Sequence, residues 1–296
     1  MGAAIGMAAE IWVYDRTICS GLGDRLGAML TVATLAHIAG VQVEMEWCSL
    51  EEGRNYGNIK EHIPTWVGYN YSLTEFEGAF WLPRNVRWVE RFSDTTRPKV
   101  SYVGNELPAH EALDQAYTTA SRTTRLHKTV HPDDFIRAYY IVGAQLAPRV
   151  QPERNVVLHV RAPGVNNYAP RAVRELSFFC TRKVLASVLR AGYEVVVVSD
   201  DLQHARDVLE PYVDALTFVD GAPFDHMAIL LGALGIIQHC TMGYSSYSSV
   251  PAMARGIPLI NTYKGEDHRY VLFQDVPKEF HTCAQRRRFI KRLSYL

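Results

Sequence analysis

Three things are scarce in this 296-residue sequence, and each scarcity narrows what the protein can do. Net charge is the first: 31 Lys and Arg balance 31 Asp and Glu, so the broad basic field that non-specific nucleic-acid binding needs is absent. Long apolar runs are the second. No stretch approaches the roughly 18 residues of a membrane span, and Met1 to Glu10 lack the charged start and long apolar centre of a secretory signal. Cysteine is the third. The five, Cys19, Cys48, Cys180, Cys240 and Cys283, are scattered and never form a Cys-x-x-Cys pair, which argues against a disulfide framework or a structural zinc site. Free thiols in a reducing, cytoplasmic setting are the expectation. What the chain does have is a 48% hydrophobic fraction, enough for one large domain or two of about 150 residues.

The pattern along the chain predicts an α/β protein. Ile11–Tyr14 reads as a short buried strand, 20–23 as a tight turn, Leu26 to Ile38 as a helix stopped by Gly40, and Val41 to Met45 as a second strand. From Arg54 to Lys99 the text turns aromatic and irregular, with Tyr56, Trp66, Phe76, Phe80, Trp81, Trp88 and Phe92 interrupted by Pro64, Pro83 and Pro98, so loops and short elements suited to binding are expected. Helices follow near Pro108 to Ala120 and Pro132 to Leu146, then a linker around Pro148 and Pro152. Beyond it, strands at Val156–Val160, Glu194 to Val198, Leu216 to Val219, Gly235 to Gln238 and Pro258 to Ile260 alternate with helices at Leu176 to Arg190, Leu202 to Leu209, Asp225 to Leu234 and Ser246–Arg255. Continuous apolar strands separated by helices signal a parallel sheet covered on both faces. The boundaries drawn are 1–150 for a Rossmann-like acceptor-side domain and 151–296 for a Rossmann-like nucleotide-sugar domain. A basic helix, Gln285 to Arg292, is expected at the end.

Ligands in open α/β sheets bind outside the carboxyl ends of the strands, so the residues after each strand are the ones to inspect. Gly21 and Gly23, with Asp24 and Arg25, lie between a strand and a helix, where glycine permits close backbone approach and helix amides favour an anion. His159 and Arg161 share one face at a strand end, and a guanidinium there can hold a diphosphate bidentately and stabilise a leaving group. After the next apolar strand, Ser199 or Asp200 is a candidate helix cap, and Asp200 or Asp201 a candidate acceptor from a sugar or base. Ser245, Ser246 and Ser248 surround a helix start, where hydroxyls and amides make an anion nest or ordinary caps. The chain holds no Asp-x-Asp, no His-Glu-x-x-His, no Gly-x-Ser-x-Gly and no Walker loop, so an Arg-based, metal-free diphosphate site is favoured.

Taken in order, Gly21-Leu22-Gly23-Asp24-Arg25-Leu26-Gly27, His159-Val160-Arg161, Val198-Ser199-Asp200-Asp201 and Asp225 leading to Ser245-Ser246-Tyr247-Ser248-Ser249 resemble the motif set of the α-1,2, α-1,6 and protein O-fucosyltransferase superfamily. The resemblance implies a GT-B glycosyltransferase, two Rossmann-like domains facing across a cleft, metal-independent and inverting, with no cofactor besides its GDP- or UDP-linked nucleotide-sugar substrate and an oligosaccharide or glycoprotein acceptor. It implies that Arg161 binds the diphosphate and assists its departure, with His159 close to the nucleotide or sugar. Asp200 or Asp201 and Asp225 would line the nucleotide side, Ser246 and Ser248 would bind phosphate, and Gly21, Gly23 and Arg25 would close from across the cleft. Glu175 and Asp24 are the candidate catalytic bases. Where the family often continues with a second Arg and an Asp, this chain has Ala162, Pro163 and Gly164, which leaves fucose and a second sugar such as xylose from UDP-xylose both open.

Two other classes fit parts of the text. A nicotinamide-dependent oxidoreductase would use Gly21-Leu22-Gly23 with Glu44 or Glu46 on the ribose about 20 residues further on. A non-catalytic glycan-binding module would use the aromatics between Tyr56 and Phe92.

Overall fold

The computed structural model describes residues 11–14, 22–47, 72–89, 132–161, 171–239 and 245–262. The first unit opens with β1 (Ile11–Tyr14), α1 (Leu22–Ala39) and β2 (Gln42–Glu46). Helix α1 is apolar nearly all round: Leu22, Leu26, Met29, Leu30, Val32, Ala33 and Leu35 are all buried, so it lies inside the molecule rather than on its surface. It starts four residues before the expected Leu26 and takes Gly23 into its first turn. It stops where Gly40 adopts φ 70° and the amides of Gly40 and Val41 bond to the carbonyls of His37 and Ala36.

The aromatic segment is partly core. Within it α2 (Leu73–Ala79), β3 (Phe80–Trp81) and β4 (Val86–Val89) are formed. Helix α2 begins with a reciprocal Ser72–Glu75 capping box. Phe76 stacks on Trp47 at 4.8 Å and meets Trp88 edge-on at 6.0 Å, so these rings build the interior instead of a binding surface. Trp81 alternates outward, 55% exposed, with the Arg149 guanidinium 4.0 Å over its ring. Strands β1, β2 and β4 form a three-stranded parallel sheet in the order β1-β2-β4. The expected helix at 108–120 and the basic helix at 285–292 lie outside the described residues, as do four of the cysteines; Cys180 is a free, half-buried thiol.

Next come α3 (Pro132–Gly143) and β5 (Ala147–Pro148), which pairs antiparallel with β3, so part of the expected linker is tied to the first unit. The second unit comprises β6 (Val156–Val160), α4 (Arg171–Arg190), β7 (Val195–Ser199), α5 (Leu202–Val208), a 3₁₀ turn over Glu210–Ala215, β8 (Thr217–Phe218), α6 (Pro223–Gly232), β9 (Gly235–His239), α7 (Ser246–Arg255) and β10 (Leu259–Asn261). Its five strands are all parallel in the order β10-β9-β6-β7-β8. The chain runs outward from β6 through β7 to β8, then returns to the other flank for β9 and β10. The order therefore reverses at β6, the place where such sheets open a crevice.

One face of this sheet packs on α4 and α5 through Leu158, Val160, Val197, Leu185 and Val208. The other face contributes Val157, Val198, Ile236 and Leu259 to a larger core that also holds α1, α3, α6, α7 and the first sheet's Val43, Met45 and Trp88. The two sheets thus share a continuous apolar core. Contact between their helices is close enough to require glycine. A Cβ on Gly23 would lie 2.4 Å from the Ser246 carbonyl carbon and the Tyr247 amide nitrogen, and one on Gly143 would lie 2.5 Å from the Ala254 carbonyl oxygen. Arg255 fixes the same seam by donating to the Ala144 carbonyl at 2.7 Å.

Candidate functional site

A cavity of about 450 Å³ opens at the carboxyl ends of β6, β7 and β8. Arg161, Asp200 and Asp220-Gly221 come from the segments that directly follow those three strands. His159 and Ser199 come from the strands themselves, Leu202 from α5, Pro223 and His226 from α6, and Tyr247 from α7. Local rules explain the placement. Residues 157 and 159 face the same side of β6, so His159 is buried toward α7 while Arg161, one step past the strand, emerges into the cavity. The Arg161 amide is held by the His239 carbonyl at 2.9 Å.

The Arg161 guanidinium meets Asp200 at 3.3 Å, the two side chains being 40% and 36% exposed. An ion pair so open to solvent is weak, and the guanidinium can exchange its carboxylate for a phosphate at little cost. The neighbouring carboxylate has another task. Asp201 caps α5, accepting from the His204 amide at 2.9 Å, while the Ser199 hydroxyl accepts from the Asp201 amide at 3.1 Å. Asp201 does not line this cavity.

His159 is 2% exposed, with Nδ1 2.9 Å from the Ser248 hydroxyl and its ring 5.5 Å from that of Tyr247. Burial first, then Arg161, His226 and His239, push its pKa down to about 3, so the ring is neutral at any ordinary pH. His226 donates from Nε2 to the Val219 carbonyl at 3.2 Å, and burial pushes its pKa down as well. The Tyr247 hydroxyl donates to the Pro223 carbonyl and so ties α7 to the start of α6.

The other expected residues divide. Ser248 is fully buried and turned toward His159 and Gln238, so its hydroxyl is not presented to phosphate. Ser245 stands at the N-cap of α7 but makes no side-chain cap bond; its carbonyl accepts from Gln238 Nε2 at 2.9 Å. Ser246 is half-buried, with its backbone against Gly23. Asp225 is exposed and accepts from the Ala222 amide at 3.0 Å, a capping role at the start of α6. Arg25 is 4% exposed with its guanidinium 4.7 Å over the Trp47 ring, so it is held in the core instead of reaching across a cleft. Gly21 lies outside the described residues, as do the side chains of Asp24, in the first turn of α1, and Glu175, in α4.

Sequence reasoning passed over Asp220, Gly221, His226 and Tyr247. Asp220 and Gly221 were within reach of the same rule that found Arg161, since they follow a strand read as ending at Val219. His226 and Tyr247 required knowing how α6 and α7 are rotated against the sheet. For the dinucleotide reading the geometry is unfavourable. Glu44 makes an ion pair with Arg87 of the adjacent strand at 3.4 Å, and backbone fills the space against Gly23. Among the described residues no group of three or more His, Cys, Asp or Glu is placed to hold a metal ion, and no helix is long and apolar enough to cross a membrane.

No family model matches the chain, and no curated protein matches it by sequence. Among solved structures it is similar to the fucosyltransferase NodZ from Bradyrhizobium, at 12% identity and a TM-score of 0.44 over 86% of this chain and 95% of that one. It is also similar to the heptosyltransferase WaaC of E. coli, at 11% and 0.42 over 85% and 88%, and to POFUT1, at 12% and 0.41 over 86% and 97%. Identities this low, with TM-scores below 0.5, say nothing of what this chain binds or catalyses.

Proposed function

We propose that the chain is a glycosyltransferase that moves a sugar, fucose first, from a GDP- or UDP-linked donor to a glycan hydroxyl, with inversion and without a metal. One observation carries this reading: Arg161 enters a cavity of about 450 Å³ at the strand where the sheet order reverses, with the Asp200 and Asp220 carboxylates on the same wall. The volume falls in the range of about 300–1,000 Å³ usual for small-molecule sites. In the reaction the bond between the anomeric carbon and the diphosphate oxygen breaks, and its electron pair leaves with the diphosphate. The acceptor oxygen bonds to the opposite face of that carbon and loses its proton. Arg161 answers the charge that develops on the leaving group, and the two carboxylates suit the hydroxyl and amino donors of a nucleoside. Asp24 and Glu175 remain the carboxylates to test as base. Residues 1–150 would serve the acceptor and 151–296 the donor.

Calorimetry with GDP, UDP, GDP-fucose, UDP-xylose and NADP, with and without EDTA, tests this. GDP and GDP-fucose come first because the ordered motifs resemble those of fucosyltransferases. A nucleoside diphosphate should bind equally in EDTA, and Arg161→Ala should lower transfer by about 100-fold or more, the scale seen when a charge-stabilising donor is removed. Binding of NADP alone, or glycan binding unaffected by Arg161→Ala with no transfer, would overturn it.

A further inference from the structure

We infer that Gln238 and Ser248 are positioning residues that hold His159 as the tautomer protonated on Nε2, so that the cavity wall offers a fixed, neutral N–H donor to a ligand oxygen. The Ser245 carbonyl can only accept, and the Gln238 side-chain atom 2.9 Å from it must be the amide nitrogen. The same nitrogen lies 2.5 Å from the Ser248 hydroxyl oxygen, which therefore accepts from it. Ser248 is left with its own hydrogen, and His159 Nδ1 stands 2.9 Å away to receive it. A ring nitrogen that accepts carries no hydrogen, so the imidazole hydrogen is on Nε2.

The opposite tautomer would direct two donors at Ser248 and leave its hydrogen to find a further acceptor. Among the described residues the Ser248 hydroxyl bonds only to Gln238 and His159. Both supporting side chains are fully buried, so water does not compete for these bonds. The ring lines the cavity, and Nε2 makes no hydrogen bond to the described residues, which makes it the polar atom left for a ligand. Burial next to Arg161 keeps the ring uncharged, in agreement with a donor role that adds no second cation beside the guanidinium.

The tautomer decides what the wall can bind. An Nε2–H faces a phosphate or sugar oxygen favourably, whereas a bare Nε2 would set lone pair against lone pair. The inference deepens the proposed nucleotide site and rests on that reading only for the identity of the ligand.

The test is an imidazole nitrogen NMR spectrum of the ¹⁵N-histidine-labelled protein, with His159 assigned by its loss in His159→Gln. In the free protein Nε2 should appear protonated and Nδ1 bare. Ser248→Ala should release the ring to a mixture or to the Nδ1–H form and weaken GDP binding about tenfold. Ser248→Thr, which keeps a hydroxyl, should restore the Nε2–H signature. GDP and inorganic pyrophosphate shifting the His159 Nε2 signal, with guanosine silent, would place the acceptor oxygen on phosphate; guanosine acting where pyrophosphate does not would place it on the nucleoside. An Nδ1–H tautomer in the wild-type protein, or one unchanged in Ser248→Ala, would overturn the inference. A correct tautomer that is lost in Ser248→Ala, in a protein that binds no nucleotide, would uphold the positioning roles and sink the nucleotide reading instead. The wild-type spectrum decides the tautomer even if the variants fail to fold.

Discussion

The two faces of the five-stranded sheet carry the same polar device and put it to different ends. On one face His159, near the end of β6, sets Nδ1 2.9 Å from the hydroxyl of Ser248 on α7. On the other His239, at the end of β9, sets Nδ1 2.8 Å from the hydroxyl of Thr181 on α4, and Thr181 meets Thr262 at 2.6 Å. Both rings are buried, and both are pushed down to a pKa of about 3, His239 by burial and then by His204. Yet His239 is stacked under Phe178 at 4.7 Å, while His159 forms part of the wall of a cavity. The distinction lies in what the covering helices leave open beside it.

The cavity face depends on the helix seam behind it, and Gly23 is the place to break it. Its Cβ would fall 2.4 Å from two backbone atoms of α7, which cannot swing aside as a side chain can. Gly23→Ala should destabilise the fold by about 3 kcal/mol, the upper part of the range for overpacking, despite the better helix propensity of alanine. On the same helix a Cβ at Gly27 would meet only the Val250 Cγ2 atom at 3.2 Å, so Gly27→Ala should stay within about 1 kcal/mol. Urea unfolding of the two variants compares them directly. Equal midpoints would mean that α1 and α7 are not in close contact.

The order of strands and helices in the second unit was legible in the sequence because β6 and β7 are short, mostly apolar runs, Ile236-Ile237 mark β9, and α7 begins among its serines. What was not legible was rotation and depth. Arg25 and Ser248 have residue types and positions that suit a ligand, and packing turns both inward. Phe76 and Trp88 sit in a stretch too irregular to read, and only the fold shows that they meet Trp47. Arg161 and Asp200 were found because a strand end states its own location, whereas His226 depends on how α6 meets the sheet.

Titration sharpens the comparison of the two histidines. Each has a folded pKa of about 3 against an ordinary 6.5, so between those values the unfolded chain binds a proton that the folded chain refuses. Stability is thus fully present above about pH 6.5 and is lost as pH falls toward 3, at about 1 kcal/mol per pH unit for each ring. His159→Gln and His239→Gln should each remove one ring's share of that slope. Only His159→Gln should also weaken nucleotide binding. Loss of binding in His239→Gln, with the slope changed as expected, would show that the two faces are coupled. Urea midpoints from pH 7 to pH 5, alongside GDP calorimetry, supply both readings.

The smallest expected effect separates two adjacent carboxylates. Asp200 faces Arg161 and the cavity, while Asp201 holds the His204 amide at the start of α5. Asp201→Ala removes a side-chain N-cap and should cost about 1 kcal/mol, with GDP affinity unchanged. Asp200→Asn keeps the shape, removes the charge that competes for Arg161, and should change GDP affinity while leaving stability within about 0.5 kcal/mol, as expected for an exposed ion pair. The direction of that change is informative. Tighter binding means the carboxylate mainly opposes the phosphate for the guanidinium; weaker binding means it accepts from the nucleoside. An unaltered affinity in Asp200→Asn together with a loss in Asp201→Ala would reverse the assignment, and with it the view that the first residue past β7 belongs to the ligand and the second to the helix.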